Sequence, residues 1–122
     1  MPLRVSWTLS LTGIAVLALT LSAAADADSE QRLKQTKQCP GCELINADLT
    51  GAQLEGANLQ DANMSGATVY GGNLSNANLT NTNLAGANLN GTNLRGARGA
   101  NLSTALTNER TTCPNGTTGP CN

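Results

Sequence analysis

The sequence predicts an all-β solenoid, on three observations. Apolar residues recur at every fifth position without a gap: Leu44, Leu49, Leu54, Leu59, Met64, Val69, Leu74, Leu79, Leu84, Leu89 and Leu94. Two residues after each stands Asn46, Gly51, Gly56, Asp61, Gly66, Gly71, Asn76, Asn81, Gly86, Gly91 and Gly96 in turn. Two residues before each stands a small one: Cys42, Ala47, Ala52, Ala57, Ala62, Ala67, Gly72, Ala77, Thr82, Ala87 and Thr92.

A five-residue step fits neither regular element. On a helix it scatters the leucines around the circumference, and on a strand an odd step sends successive leucines to opposite faces. The Gly/Asn/Asp column resolves the conflict. These residue types tolerate the positive φ that the third position of a type II turn needs, so the chain turns a corner once per unit. Between corners, the small residue and the leucine lie two apart and point to the same side. The residue between them, Asn in seven of the eleven units, points outward. Each unit is therefore one side of a coil, and successive turns of the coil stack.

The repeats Ala47-Asp48-Leu49, Ala57-Asn58-Leu59, Ala77-Asn78-Leu79 and Ala87-Asn88-Leu89 resemble the A-(D/N)-L-x-x unit of the pentapeptide-repeat family. The resemblance implies a right-handed quadrilateral β-helix with four units per coil. Leu44, Met64 and Leu84 then share one interior column, and Leu49, Val69 and Leu89 another. Eleven units make under three coils, a rod about 14 Å tall at about 4.8 Å per coil. The order of polar helix, C-P-G-C, repeats and Cys-containing tail is similar to that of short exported members. Some members imitate DNA with long arrays of outward carboxylates. This chain departs from that pattern, since Ala62 to Leu94 carry no charge at all.

The flanks divide the chain into four parts. Residues 1–25 read as a signal peptide: Arg4, an apolar stretch over 5–22, then Ala23-x-Ala25 or Ala25-x-Ala27 for cleavage before Asp26 or Asp28. The competing reading is an uncleaved anchor, for which the stretch is only marginally long. Residues 26–41 hold a short N-terminal capping helix and the C-x-x-C turn, with Leu33 as the helix's one large apolar contact. A short solenoid needs such a cap to cover its open end. Residues 42–105 form the solenoid, and 106–122, rich in Thr, Pro and Gly, an irregular tail. The five-residue grid breaks after Leu94. Gly99 stands where an apolar residue is due, and Ala100-Asn101-Leu102 restarts the motif with two residues missing. The coil must tighten or end near Ala97–Gly99.

Composition excludes several chemistries. The 122 residues contain no His, which removes histidine catalysis and His-containing zinc sites. From Asp26 onward six Lys/Arg stand against eight Asp/Glu, a net charge of −2, too little to capture nucleic acid or anionic membrane. No cofactor and no metal are expected. Glu43, Asp48, Glu55 and Asp61 gather early in the coil, but a solenoid filled by its own leucines offers no cavity to tune an acid–base pair.

The sharpest candidates for chemistry are Cys39, Cys42, Cys113 and Cys121. Redox C-x-x-C motifs place the first Cys at a helix N-terminus, whereas this one follows the helix and encloses Pro-Gly. A four-Cys zinc site is disfavoured by the C-x7-C spacing of the second pair. Structural disulfides suit an exported small protein. Of the three pairings, Cys39–Cys42 with Cys113–Cys121 is favoured because the rod separates its ends, although a tail folded back would mix them. Asn63 with Asn83, and Asn73 with Asn93, would stack on two side faces at the coil spacing. Six N-x-S/T matches, at Asn63, Asn73, Asn78, Asn90, Asn101 and Asn115, are mostly by-products of the repeat.

These readings point to a non-enzymatic exported scaffold or protein-interaction module of the periplasm, thylakoid lumen or exterior. Its partner is an unidentified protein or polymer, with no nucleic acid, no membrane once the signal is cleaved, and end-to-end self-association left open. One alternative is a binder of a repetitive polymer or ice surface through the Asn/Thr faces. The other is a thiol–disulfide redox protein using Cys39 and Cys42.

Overall fold

Twelve consecutive corners carry the architecture. From Gly41 to Gly96, every fifth residue has φ between 58° and 76°. At each corner the small residue's N–H donates back to the carbonyl three residues earlier, as Ala47 does to Leu44 (3.1 Å) and Ala57 to Leu54 (3.0 Å). These are type II turns, with Pro40 and Gly41 filling the two central positions of the first one, where each residue type is favoured. The computed structural model describes residues 27–121; the expected signal peptide, residues 1–25, lies outside them.

The walls between corners are too short to be strands and register as single parallel bridges. Gln38, Glu43, Asp48 and Gln53 each pair with the residue twenty positions on, and the interval holds up to Asn78–Arg98. Twenty residues at five per corner make a four-sided coil. The stacked columns are therefore Leu54–Leu74–Leu94, Leu49–Val69–Leu89, Leu44–Met64–Leu84 and Cys39–Leu59–Leu79. All are buried, none more than 2% exposed. Thr82, Thr92 and Thr111 occupy inward small positions. Their hydroxyls donate to the carbonyls of Leu59 (2.7 Å), Val69 (2.7 Å) and Leu89 (3.0 Å) in the coil below, so no buried hydroxyl is left unpaired there.

The coil is longer at both ends than the spacing predicts. It begins at Gln38, whose bridge to Asn58 opens the ladder, rather than at residue 42. Cys39 sits in the large-residue column, a position that an aliphatic pattern overlooks. At the other end the tail is not irregular from residue 106. Leu106 bridges to Asn88 and Thr112 to Asn93, forming a partial fourth level, and Thr118 folds back antiparallel onto Thr112. The two missing residues are absorbed beyond Arg98. The interval falls to eighteen, with Gly86 N–H donating to the Thr104 carbonyl (2.8 Å) and Leu106 pairing with Asn88. Gly99 makes this tightening possible: a Cβ there would lie 2.7 Å from Thr80 Cα and 3.0 Å from Thr80 N.

The N-terminal end is covered by α1 (Ala27–Thr36), which has Asp28 and Glu30 in its first turn, favourable to its dipole. Ser29 and Leu33 are its buried residues. The helix ends at Lys37, which takes φ 59° and donates its N–H to the Leu33 carbonyl (2.8 Å). The Lys37 carbonyl then accepts from Asn58 N–H (2.8 Å), carrying the helix end into the ladder. Among the described residues no helix is long and apolar enough to cross a membrane.

Two corner glycines at equivalent positions offer a test. A Cβ on Gly86 meets nothing within 4 Å, whereas on Gly66 it would strike the Asn46 Oδ1 in the coil below. Both carry positive φ, 69° at Gly66 and 68° at Gly86. Gly86→Ala should therefore cost about 1 kcal/mol from the backbone alone. Gly66→Ala should cost the same plus only what turning the exposed Asn46 amide aside requires, and urea denaturation of the two variants measures the difference.

Candidate functional site: side faces and the C-terminal cleft

The outward Asn column has a structural task that hydrogen-bond accounting exposes. In the unit 58–62, four backbone N–H groups go to carbonyls: Asn58 to Lys37, Leu59 to Asn78, Asp61 to Thr80 and Ala62 to Leu59. The fifth, on Gln60, faces outward at the turn, where no neighbouring coil reaches it. The Asn58 side chain accepts it through Oδ1 (3.1 Å). The same bond recurs from Asp48, Asn63, Asn73, Asn78, Asn83, Asn88 and Asn93, at 2.9–3.2 Å. Backbone donors demand partners, and a short side chain with an acceptor two residues upstream supplies one. At the first corner the corresponding position is Pro40, which has no N–H, and Gln38 is free to stand in the column. Asn63 and Asn83 do lie in adjacent coils, as do Asn73 and Asn93, but each Oδ1 is already engaged.

Asp48 uses its carboxylate in the same way. It is fully exposed, and its pKa lies below the ordinary 3.8 because of hydrogen bonds from the Thr50 side chain and backbone, assisted by the charge of Lys34. A depressed carboxylate pKa stabilises the fold above 3.8 and withdraws that help as pH falls through the lower, folded value. An NMR titration of Asp48 should show a midpoint under 3.8, and Thr50→Val should move it upward.

The four cysteines form two local pairs, Cys39–Cys42 with Cα atoms 5.3 Å apart and Cys113–Cys121 at 5.6 Å. The first closes the Pro40-Gly41 turn beneath α1. Arg32 lays its guanidinium 2.7 Å from Cys42 Sγ, and the Ser29 carbonyl lies 3.5 Å from Cys39 Sγ. Cys39 is wholly buried and Cys42 nearly so, which leaves an attacking thiol no approach while the helix is docked.

Concavity appears at the C-terminal end. A cleft of about 660 Å³ opens between the segment 100–103 and the disulfide-closed loop 113–121, with Leu102, Pro114 and Pro120 among its apolar lining and Asn101, Ser103 and Asn115 among its polar lining. Sequence reasoning missed this cleft. Its one signal was the two-residue slip after Leu94, which gives the position of a break but not the shape left behind. Glu43, Asp48, Glu55 and Asp61 do not enter this lining. Among the described residues no three His, Cys, Asp or Glu side chains gather as a metal site would require.

This coil of five-residue corners defines a class, and the sequence matches it. The family model for pentapeptide repeats aligns eight copies over residues 40–76 and 57–105. The chain belongs to the pentapeptide-repeat family. No curated protein matches it. Among solved structures it is similar to a pentapeptide-repeat protein of the Arabidopsis thaliana thylakoid lumen, at 25% identity and TM-score 0.42, covering 62% of this chain and 57% of that one. It is also similar to a pentapeptide-repeat protein from Nostoc Pcc 7120, at 26% identity and TM-score 0.45, covering 73% of this chain and 80% of that one. A third, from the cyanobacterium Cyanothece 51142, shares 23% identity at TM-score 0.35, covering 69% and 96% respectively. The chain thus spans a little over half the length of the thylakoid-lumen protein.

Proposed function

We propose that the chain is a non-enzymatic, exported scaffold or protein-interaction module, a right-handed quadrilateral rod whose ends present different chemistry. The observation that carries this reading is how completely the coil uses its own groups. The interior columns are filled by Leu, Met, Val and Ala, and eight outward Asn or Asp oxygens are engaged with backbone N–H groups. A body so satisfied has no room for a substrate and serves as a rigid spacer. Charge is held at the ends. Glu43, Asp48, Glu55 and Asp61 belong to the first coil and the start of the second, Arg95 to the end of the third, and Arg98 and Arg110 to the last level.

Export is supported by the apolar leader and by four cysteines in local pairs, an arrangement that suits an oxidising compartment. The decisive measurement is an intact mass of the protein from its native compartment, alkylated with and without prior reduction. The expected product lacks residues 1–25 or 1–27 and takes up alkylating agent at all four cysteines only after reduction. A full-length chain whose cysteines alkylate freely would end the exported reading. Ready alkylation of Cys39 and Cys42 alone would bring the redox alternative forward.

A further inference from the structure

Arg32 is a cation turned toward a weak acceptor. Among the described residues its side chain meets only the sulfurs of the first disulfide, with Nη2 2.7 Å from Cys42 Sγ and 3.8 Å from Cys39 Sγ. A disulfide sulfur is neutral and accepts hydrogen bonds poorly, whereas a thiolate puts a full charge on the same atom. The other sulfur is placed in the same sense. The Ser29 carbonyl lies 3.5 Å from Cys39 Sγ, where a half-cystine has no proton to give it and a thiol has one. α1 therefore holds two groups over this pair that serve its reduced form better than its oxidised form. The second disulfide differs. Cys113 Sγ and Cys121 Sγ each lie 3.4 Å from the Gly119 carbonyl, and among the described residues no cation reaches them.

The helix that carries these groups is lightly held. α1 has ten residues, and only Ser29 and Leu33 are buried. A helix of that length is marginal on its own in water, so its docking answers to small changes at the contact. The turn beneath it does not depend on the sulfur link. Cys42 N–H donates to the Cys39 carbonyl (3.2 Å), while Cys39 and Gly41 N–H groups reach the Asn58 and Gln60 carbonyls of the next coil (2.9 and 2.8 Å). Opened thiols thus stay where α1 can meet them.

We infer that Cys39–Cys42 is a reversible redox site for a dithiol reductant, and that its reduction fastens α1 more tightly to the rod through Arg32. With α1 lifted, one thiolate of the dithiol attacks Cys42 Sγ, and Cys39 Sγ leaves with the electron pair and takes the proton of the reductant's second thiol. That second sulfur, now a thiolate, attacks its own neighbour in the mixed disulfide and releases Cys42 as a thiolate. The reductant departs as a cyclic disulfide. α1 then redocks with Arg32 on the Cys42 thiolate and the Ser29 carbonyl on the Cys39 thiol. By linkage, the factor by which docked Arg32 favours the dithiol is the factor by which the dithiol favours docking. This is a conformational device of the rod rather than turnover of a substrate, and it does not rest on the scaffold reading.

The test equilibrates the full protein in dithiothreitol buffers of graded reduced-to-oxidised ratio, traps the thiols by acid and alkylation, and reads each pair by peptide mass. Cys39–Cys42 should be reduced at a ratio that leaves Cys113–Cys121 oxidised. Arg32→Gln should lower its equilibrium constant about tenfold, or about 30 mV for a two-electron couple, and leave Cys113–Cys121 unchanged. Lys34→Gln, which removes a neighbouring charge from the same helix, should leave both pairs unchanged, and Arg32→Lys should fall between the two. Retained amide dispersion in Arg32→Gln shows that folding is not the cause. Amide exchange reads the helix itself. At a ratio that opens only the first pair, the Lys37 N–H, bonded to the Leu33 carbonyl at the end of α1, should exchange about tenfold more slowly than in the oxidised protein, a difference that Arg32→Gln removes. The inference is overturned if Arg32→Gln shifts neither pair or both alike, or if α1 exchanges faster once the pair is reduced.

Discussion

Leu74→Ala is expected to destabilise the protein by about 3–5 kcal/mol, the upper part of the usual range for deleting a buried leucine side chain. Leu74 is fully buried at mid-rod, stacked between Leu54 and Leu94, which are equally buried. The cost of such a deletion depends on how far the surroundings collapse into the cavity, and here they are held apart. Leu54 N–H bonds the Asn73 carbonyl at 2.7 Å and Leu74 N–H the Asn93 carbonyl at 2.7 Å, fixing the coil spacing on both sides. The loss also weakens two coil-to-coil interfaces, in a fold whose stability is roughly a sum of such interfaces. Leu102→Ala, at the partly exposed last level, should cost less because the tail can settle inward. Urea denaturation followed by circular dichroism gives both values. A Leu74→Ala loss no larger than that of Leu102→Ala would show that the coils relax freely.

Much of this fold was legible because one residue type per column does one physical job. Gly, Asn and Asp at the corners announced positive φ, and the leucine grid announced the interior. What the grid could not supply was information held between coils. The four-sided geometry shows in pairs such as Asn58–Asn78, which are twenty residues apart and have no local signature. From sequence, a lattice for an external surface was one alternative reading of the Asn column. Only the pairing of neighbouring coils shows that one N–H per unit is left facing outward, and that Asn58 or Asn83 satisfies its own backbone. The place of Cys39 in the interior column was missed because a disulfide half-cystine, buried like a leucine, took a leucine's place there. Extending the corner series five residues back from Asn46 lands on Gly41, and that was the signal to follow. The cleft was hidden for a different reason. A two-residue slip fixes where regularity ends, while the shape beyond it depends on Gly99 fitting against Thr80 and on which cysteines join.

The second large effect is expected at that same end. Replacing Cys113 and Cys121 together by Ser should cost about 2.5 kcal/mol, the loop-closure entropy returned to the unfolded chain by opening a link of sequence separation 8. Against a total stability of about 5–15 kcal/mol for a domain, that is a substantial fraction. The loss should also be local. The loop holds itself by Cys113 N–H to the Thr117 carbonyl (2.7 Å), and it is tied to the rod by Cys121 N–H to Thr107 Oγ1 (2.9 Å). Leu94 and Gly96 donate their N–H groups upward to Thr112 (2.8 Å) and Pro114 (2.9 Å), so they report on whether the last level is closed. Hydrogen exchange in the double variant should accelerate at Leu94 and Gly96 while Leu54 and Leu59, lower in the rod, keep their protection. The Cys39–Cys42 link closes a much shorter loop whose turn is already favoured by Pro40-Gly41 and covered by α1, so its removal should cost less, about 2 kcal/mol at most. If exchange instead rises evenly along the rod, the coil opens as one unit and the tail is part of its core stability. If it rises only at the last level, the C-terminal loop is a separable cap, held in place by one covalent bond over the cleft it encloses.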